Sequence, residues 1–151
     1  MIIVDRDDPR DPQATALLRQ SHALMQSLYS ADDCHFLPID ALCAPDVAFL
    51  TARRGDIKVG CGALARRDGY GEVKSMFVDP AVRGQGIADA ILRALEDEAR
   101  GLGLPCLRLE TGHVLRPAHR LYQRHGFAFC GPFGTYSAAP VSLFMEKSLC
   151  A

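Results

Sequence analysis

The stretch Val78-Asp79-Pro80-Ala81-Val82-Arg83-Gly84-Gln85-Gly86-Ile87-Ala88 restricts what this chain can fold into more than any other. An apolar run, Met76-Phe77-Val78, ends at the turn Asp79-Pro80, and a loop punctuated by Gly84 and Gly86 follows. Ile87, Ala88, Ile91, Leu92, Leu95 and Ala99 then recur at helical spacing. A strand therefore feeds a helix through a tight loop whose glycines leave backbone N–H groups uncovered. Those N–H groups, the positive end of the helix dipole and Arg83 together suit a phosphoanhydride. The plainer reading is an ordinary strand–turn–helix joint with an exposed arginine. Two common phosphate loops fit poorly, because no Lys-Ser/Thr follows the glycines and their spacing is not G-x-G-x-x-G.

At 151 residues the chain reads as a single domain, 1–151, able to bury roughly two thirds of its unfolded surface. A net charge of −1 offers no bulk attraction to nucleic acid or to an anionic membrane, so neither is expected as a partner. No apolar run approaches the ~20 residues of a membrane helix. Met1-Ile2-Ile3-Val4 turns acidic at Asp5, which reads as a first strand rather than a signal peptide. Cysteines 34, 43, 61, 106, 130 and 150 are scattered, without C-x-x-C pairs or zinc-ligand spacing. Reduced thiols in a cytoplasmic protein are expected, with Cys61 and Cys106 as core residues. A nucleophilic cysteine is the alternative.

Asp11-Pro12 starts a helix, with Asp as N-cap and Pro at the first helical position. Ala14, Leu17, Leu18, Ser21, Leu24, Met25 and Leu28 mark its apolar face up to Tyr29. A polar connector, Ser30 to His35, leads to a short helix around Ile39 to Cys43. Strands are expected at Val47–Arg53, Ile57–Arg66 and Gly71–Val78, separated by hairpin turns at Arg54-Gly55-Asp56 and Asp68-Gly69. A long helix, Gly84 to Gly101, is stopped by Gly103 and Pro105. A strand at Cys106–Glu110, a helix opened by Pro117 and stopped by Gly126, and strands near Phe127–Cys130 and Ser142–Lys147 complete the chain. The order β-α-α-β-β-β-α-β-α-β-β implies an α/β fold: a mixed sheet flanked by helices, with an antiparallel meander followed by a crossover into a parallel neighbour.

Arg83-x-x-Gly86-x-Ala88 resembles the pyrophosphate-binding signature of the GNAT superfamily of acyl-CoA-dependent N-acyltransferases. A second motif, Ala118-x-x-Leu121-Tyr122-x-x-x-Gly126-Phe127, is similar to that family's A-x-x-L-Y-x-x-x-G-F. The ending Gly131-Pro132-Phe133…Tyr136…Pro140-x-Ser142-x-Phe144-Met145-Glu146-Lys147 resembles a GNAT subgroup with GPFxxY…PxSxFMEK. The resemblance spans nearly the whole chain and is strongest from Glu72 to Phe127. It implies the GNAT fold, a central twisted mixed sheet that splays between its fourth and fifth strands and admits acetyl-CoA there. Pantetheine would pair with the backbone of Met76, Phe77 and Val78. The pyrophosphate would rest on Arg83, Gly84, Gln85, Gly86, Ile87 and Ala88.

Acyl transfer to an amine requires a proton acceptor, an oxyanion donor and a partner for the departing thiolate. In the family the tyrosine at the position of Tyr122 approaches the thioester, which implies the third role for it; packing alone is the alternative. A backbone N–H near Met76 or Phe77 would hold the oxyanion. Glu72 lies where several family members carry a catalytic glutamate, and by simple alternation it shares a face with Lys74, Met76 and Val78. Glu110, ending the next strand, is the second candidate base. For each glutamate the alternative is a salt bridge: Glu72 with Lys74 or a neighbour, Glu110 with an arginine. Leu115 stands where the family often has Asn, so an amide contact to pantetheine or water is lost there. His113, His119 and His125 near the last helix lack a third convergent ligand, so no metal is expected. His22 has no evident partner. His35 lies in the connector that borders the acceptor site in GNAT enzymes. Tyr136, Pro140 and Phe144 either wall an acceptor pocket or simply pack.

The expected activity is transfer of acetyl from acetyl-CoA directly to a small-molecule primary amine. Its rivals are transfer to a protein or peptide amine and a non-catalytic CoA-binding regulatory module. Acceptor identity is not legible, and a homodimer is left open.

Overall fold

The computed structural model describes residues 1–149, so Cys150 lies outside the described residues. The hairpin turns fold the middle of the chain into a meander of β2 (Val47–Arg54), β3 (Ile57–Arg67) and β4 (Tyr70–Val78). Gly55 and Gly69 take φ of 59° and 81°, the left-handed backbone that such turns need. β1 (Ile2–Arg6) adds antiparallel to β2. β5 (Cys106–Gly112) joins β4 in parallel, and β7 (Ser142–Ser148) runs antiparallel to both β5 and β6 (Ala128–Cys130). The seven-stranded sheet has the order β1-β2-β3-β4-β5-β7-β6. β7 is thus inserted between β5 and β6, although β6 precedes it in the chain.

Helices cover both faces. Asp11 caps α1 (Pro12–Leu28) by accepting from the N–H groups of Gln13 and Ala14. Its buried Ala14, Leu17 and Leu18 pack with Phe49, Cys61, Ala63 and Phe77. The four-residue α2 (Ile39–Leu42) adds Leu42 to that layer. On the opposite face, α3 (Ile87–Gly101) buries Ile87, Ile91, Leu92, Leu95 and Ala99. A Cβ at Gly62 would fall 2.7 Å from Ile91 Cγ2 and 2.8 Å from Met76 Sδ. A missing side chain on β3 is therefore what lets α3 lie so close. α4 (Arg116–Arg124) carries His119, Leu121 and Tyr122 on its buried side.

α3 starts at Ile87, later than the expected Gly84. Gly84 and Gly86 both hold φ of 79°, outside right-handed helical space, so the loop continues to the helix cap. Cys61 is fully buried as expected, whereas Cys106 is only half-buried.

Two irregularities open the sheet. β4 and β5 pair only at Gly71–Leu107 and Glu72–Arg108, after which the strands part. Ser75 sits at φ 58° where the β3–β4 register slips between Cys61–Phe77 and Ala63–Lys74. This bulge inserts a residue into β4 and reverses the alternation beyond it. Glu72 and Lys74 therefore share the α1 face with Phe77, while Met76 and Val78 face α3; the simple alternation expected from sequence is corrected here.

Glu96 joins α3 to β7, accepting from Lys147 Nζ at 2.8 Å and Arg100 Nη2 at 2.9 Å. Burial pushes its carboxyl up, but these two cations outweigh it and hold the group below its ordinary 4.5. A carboxyl depressed in the folded state stabilises above its unfolded pKa and loses that contribution as pH falls through the folded value. Urea midpoints are expected to hold from pH 7 to about 5.5 as far as Glu96 is concerned and to fall below about 4.5. Glu96→Gln should flatten that fall; an unchanged slope would remove the role assigned to this link.

Candidate active site

A cleft of about 560 Å³ opens where β4 and β5 part. One wall is Met76, Phe77 and Val78, which beyond Glu72 have no β5 partner beside them. The other wall is α4, with Leu115, Leu121 and Tyr122. Its mouth is the loop into α3, where Arg83, Gly84, Gly86, Ile87 and Ala88 line the cavity.

The mouth fits an anion for reasons visible in the backbone. A Cβ built at Gly84 or Gly86 meets no atom within 4 Å, so the space in front of both residues is open. Among the described residues, no N–H from Gly84 to Ala88 donates to a protein acceptor. These groups converge at the positive end of a fifteen-residue helix. Arg83 folds back, Nε donating to the Val78 carbonyl at 3.3 Å with the guanidinium 5.7 Å from the Phe77 ring centroid. Gln85 does not line the cleft; its Oε1 accepts from Arg54 Nη2 at 2.7 Å. Asp89, one turn into α3, pairs with His125 Nε2 at 2.8 Å and Arg124 at 3.2 Å, tying α4 to α3 across the mouth. Those contacts, led by the hydrogen bond from His125, hold the Asp89 carboxyl below its usual range.

Tyr122 is buried, its ring 5.7 Å from Phe127, and its hydroxyl has no hydrogen-bond partner among the described residues. Burial, followed by the Glu110 charge, pushes its phenol well above 10. His119, one turn earlier, is a buried support and not a surface group. Its Nε2 donates to the Gly112 carbonyl at 2.8 Å, and because a carbonyl only accepts, that nitrogen carries the proton. This bond pins α4 to the end of β5. His22 also has a partner unseen in the sequence, stacking on Phe36 at 4.0 Å and 13°.

The remaining candidates gather on the α1 face of the splay. Glu72 is buried, with Oε1 accepting from Arg67 Nε at 3.1 Å and Oε2 accepting from the Tyr136 hydroxyl at 2.5 Å. Lys74 Nζ lies 3.4 Å from the same Oε2. Tyr136 meets His35 edge-on at 5.4 Å and packs at 5.6 Å against buried Phe144, which pairs with Glu110 across β5 and β7. Glu110 differs from Glu72: it is half-buried and, among the described residues, has neither an ion pair nor a side-chain hydrogen bond. Its charge helps to raise the phenols of Tyr122 and Tyr136 and the thiol of Cys34, after burial in each case. Lys74 is the salt-bridge partner that the sequence offered for Glu72, whereas Arg67 and the cleft-lining role of the α1 residues Ser21, Leu24 and Met25 were missed. Their spacing carries no motif. Among the described residues, no group of three or more His, Cys, Asp or Glu converges as a metal site would require.

A seven-stranded mixed sheet parts between its fourth and fifth strands, and a glycine loop leads into the N-terminus of α3 beside the gap. The chain belongs to the Acetyltransferase (GNAT) family, whose sequence pattern matches residues 15–127, and it is therefore an acyltransferase of a family that uses acetyl-CoA. It is 44 % identical over 150 residues to the IAA acetyltransferase of Azospirillum brasilense, covering 98 % of each chain. It is 35 % identical over 146 residues to the uncharacterized N-acetyltransferase YsnE of Bacillus subtilis (strain 168), covering 95 % of this chain and 97 % of that one. A crystal structure assigned to an acyl-CoA N-acyltransferase from Klebsiella pneumoniae superposes with a TM-score of 0.84 at 34 % identity, covering 99 % of each chain.

Proposed function

We propose that this N-acetyltransferase moves acetyl from acetyl-CoA directly to the primary amine of a small molecule, with Glu110 as base and Tyr122 as partner of the leaving thiolate. The observation that carries the reading is that Glu110, on β5 beyond the point where it parts from β4, is a half-buried carboxylate with no ion pair or side-chain hydrogen bond among the described residues, while the cleft wall holds the buried phenol of Tyr122. Glu110 takes one proton from the ammonium, directly or through water. The amine then attacks the thioester carbon, and a backbone N–H near Met76 or Phe77 receives the oxyanion. On collapse the C–S bond breaks, and the nitrogen's second proton balances the thiolate. A phenol raised above 10 is a weaker acid than a thiol of about 8.5, so Tyr122 serves by hydrogen-bonding to sulfur rather than by surrendering its proton outright. A cytoplasmic setting belongs to the same reading.

Glu72, the first candidate on sequence grounds, is the less available proton acceptor here. Both its oxygens are engaged, and protonation would weaken its contacts to Arg67 and Lys74. Thiol release from acetyl-CoA against a panel of amines, amino acids and peptides, with IAA included because a relative bears that name, tests the function. Glu110→Gln should lower kcat/KM about 100-fold, most at low pH, with partial recovery as alkali supplies free amine. Glu72→Gln should instead cost stability, about 3 kcal/mol where a buried pair is broken, with a pH profile parallel to wild type. The opposite assignment of profiles would move the base to Glu72, and turnover confined to peptides would replace the small-molecule acceptor.

A further inference from the structure

We infer that Lys74 is a positioning residue for the acceptor: one buried ammonium ties both loops bordering the acceptor site to β4 and so shapes that site without touching the thioester. The side chain is 7 % exposed. Nζ donates to the His35 carbonyl at 2.8 Å and to the Tyr136 hydroxyl at 2.8 Å, and it faces Glu72 Oε2 at 3.4 Å. An ammonium has three N–H donors and no acceptor, so these contacts use it fully. His35 belongs to the connector between α1 and α2, and Tyr136 to the segment between β6 and β7. Neither segment is part of the sheet, yet both end on the same nitrogen.

The network also has a direction. Lys74 can only donate to the Tyr136 oxygen, so the Tyr136 proton must point away, to Glu72 Oε2. That fixes the Tyr136 ring edge-on to His35 and against Phe144, the surfaces an acceptor would meet. The Ser75 bulge is what keeps Lys74 on this face while Met76 turns to α3. The inference rests on the proposed acetyl transfer and on the expectation that His35 and Tyr136 border the acceptor; its structural half stands without that reading.

The test uses the full chain with Lys74→Met and Tyr136→Phe. Lys74→Met leaves Glu72 its Arg67 partner, so no carboxylate is orphaned. With the best amine of the panel as probe, the variant should raise the acceptor KM tenfold or more while the KM for acetyl-CoA stays within twofold. Amide hydrogen exchange should quicken about tenfold in both 30–38 and 131–141. Tyr136→Phe should quicken exchange only in 131–141 and raise the acceptor KM less. Equal rises in both KM values, an unchanged acceptor KM, or wild-type exchange in either segment of Lys74→Met would overturn the assignment. If Lys74→Met does not fold, Tyr136→Phe decides: wild-type exchange in 131–141 overturns the tether. If no amine is turned over by wild type, the acetyl-transfer reading fails, and exchange alone supports or removes the tether.

Discussion

Gly86→Asp should abolish the rise in melting temperature that acetyl-CoA is expected to give the wild-type protein. A ligand that binds only the native state stabilises it by mass action, about 2.7 kcal/mol at a hundred times its Kd. The new carboxylate would stand among the N–H groups of Gly84 to Ala88, where the pyrophosphate belongs. Two unit charges about 4 Å apart repel by about 4 kcal/mol at an effective dielectric of 20, or close to a thousandfold in affinity. The fold should survive, because a Cβ at Gly86 meets nothing within 4 Å. The left-handed backbone at φ 79° costs a non-glycine residue only about 1–2 kcal/mol, and Asp is among the residues that tolerate it. Gly86→Ala separates the two effects, carrying the backbone cost without the charge. Calorimetric affinity for acetyl-CoA within tenfold of wild type in Gly86→Asp would take the anion seat away from this loop.

Tyr122→Phe should lower kcat by one to two orders of magnitude and leave KM for acetyl-CoA nearly unchanged. The ring keeps its packing against Phe127 and its place in the cleft wall, so ground-state binding persists. What disappears is a hydrogen bond that matters only as charge gathers on sulfur, and such a loss appears in kcat and kcat/KM alike. Because burial and Glu110 hold the wild-type phenol above 10, its ionisation should contribute no falling limb to kcat below pH 10. The variant's pH profile should therefore parallel wild type at a lower level. A correctly folded Phe variant with wild-type kcat would leave Tyr122 as a packed aromatic.

Much of this architecture was legible in the chain. The apolar runs in Val47–Arg53 and Ile57–Arg66, the glycine turns that bound them and the helical spacing from Ile87 to Ala99 are local patterns, each backed by short-range geometry. The Arg83, Gly86 and Ala88 loop was equally local, since the anion seat proposed for it depends on backbone N–H groups that two glycines leave open. Not legible was anything that hangs on one strand's register against another. The bulge at Ser75, a non-glycine residue at φ 58°, has no motif, yet it decides which face every later β4 side chain takes. The insertion of β7 between β5 and β6 is likewise a long-range pairing without a local signature.

The two glutamates show where that boundary falls. Sequence alone determined that each is a carboxylate near the splay, and that either a base or a salt bridge could follow. The folded surroundings, near and distant in the chain, separated the two. Arg67 and Lys74 come to Glu72 on its own hairpin, and Tyr136 reaches it from the segment beyond β6. Glu110, at the end of β5 and opposite Phe144, receives no such partners. A carboxylate's chemistry is set by the charges and donors within a few ångströms of it. Only the tertiary structure brings those together, whereas the loop proposed to seat an anion is built from consecutive residues and can be read before anything folds.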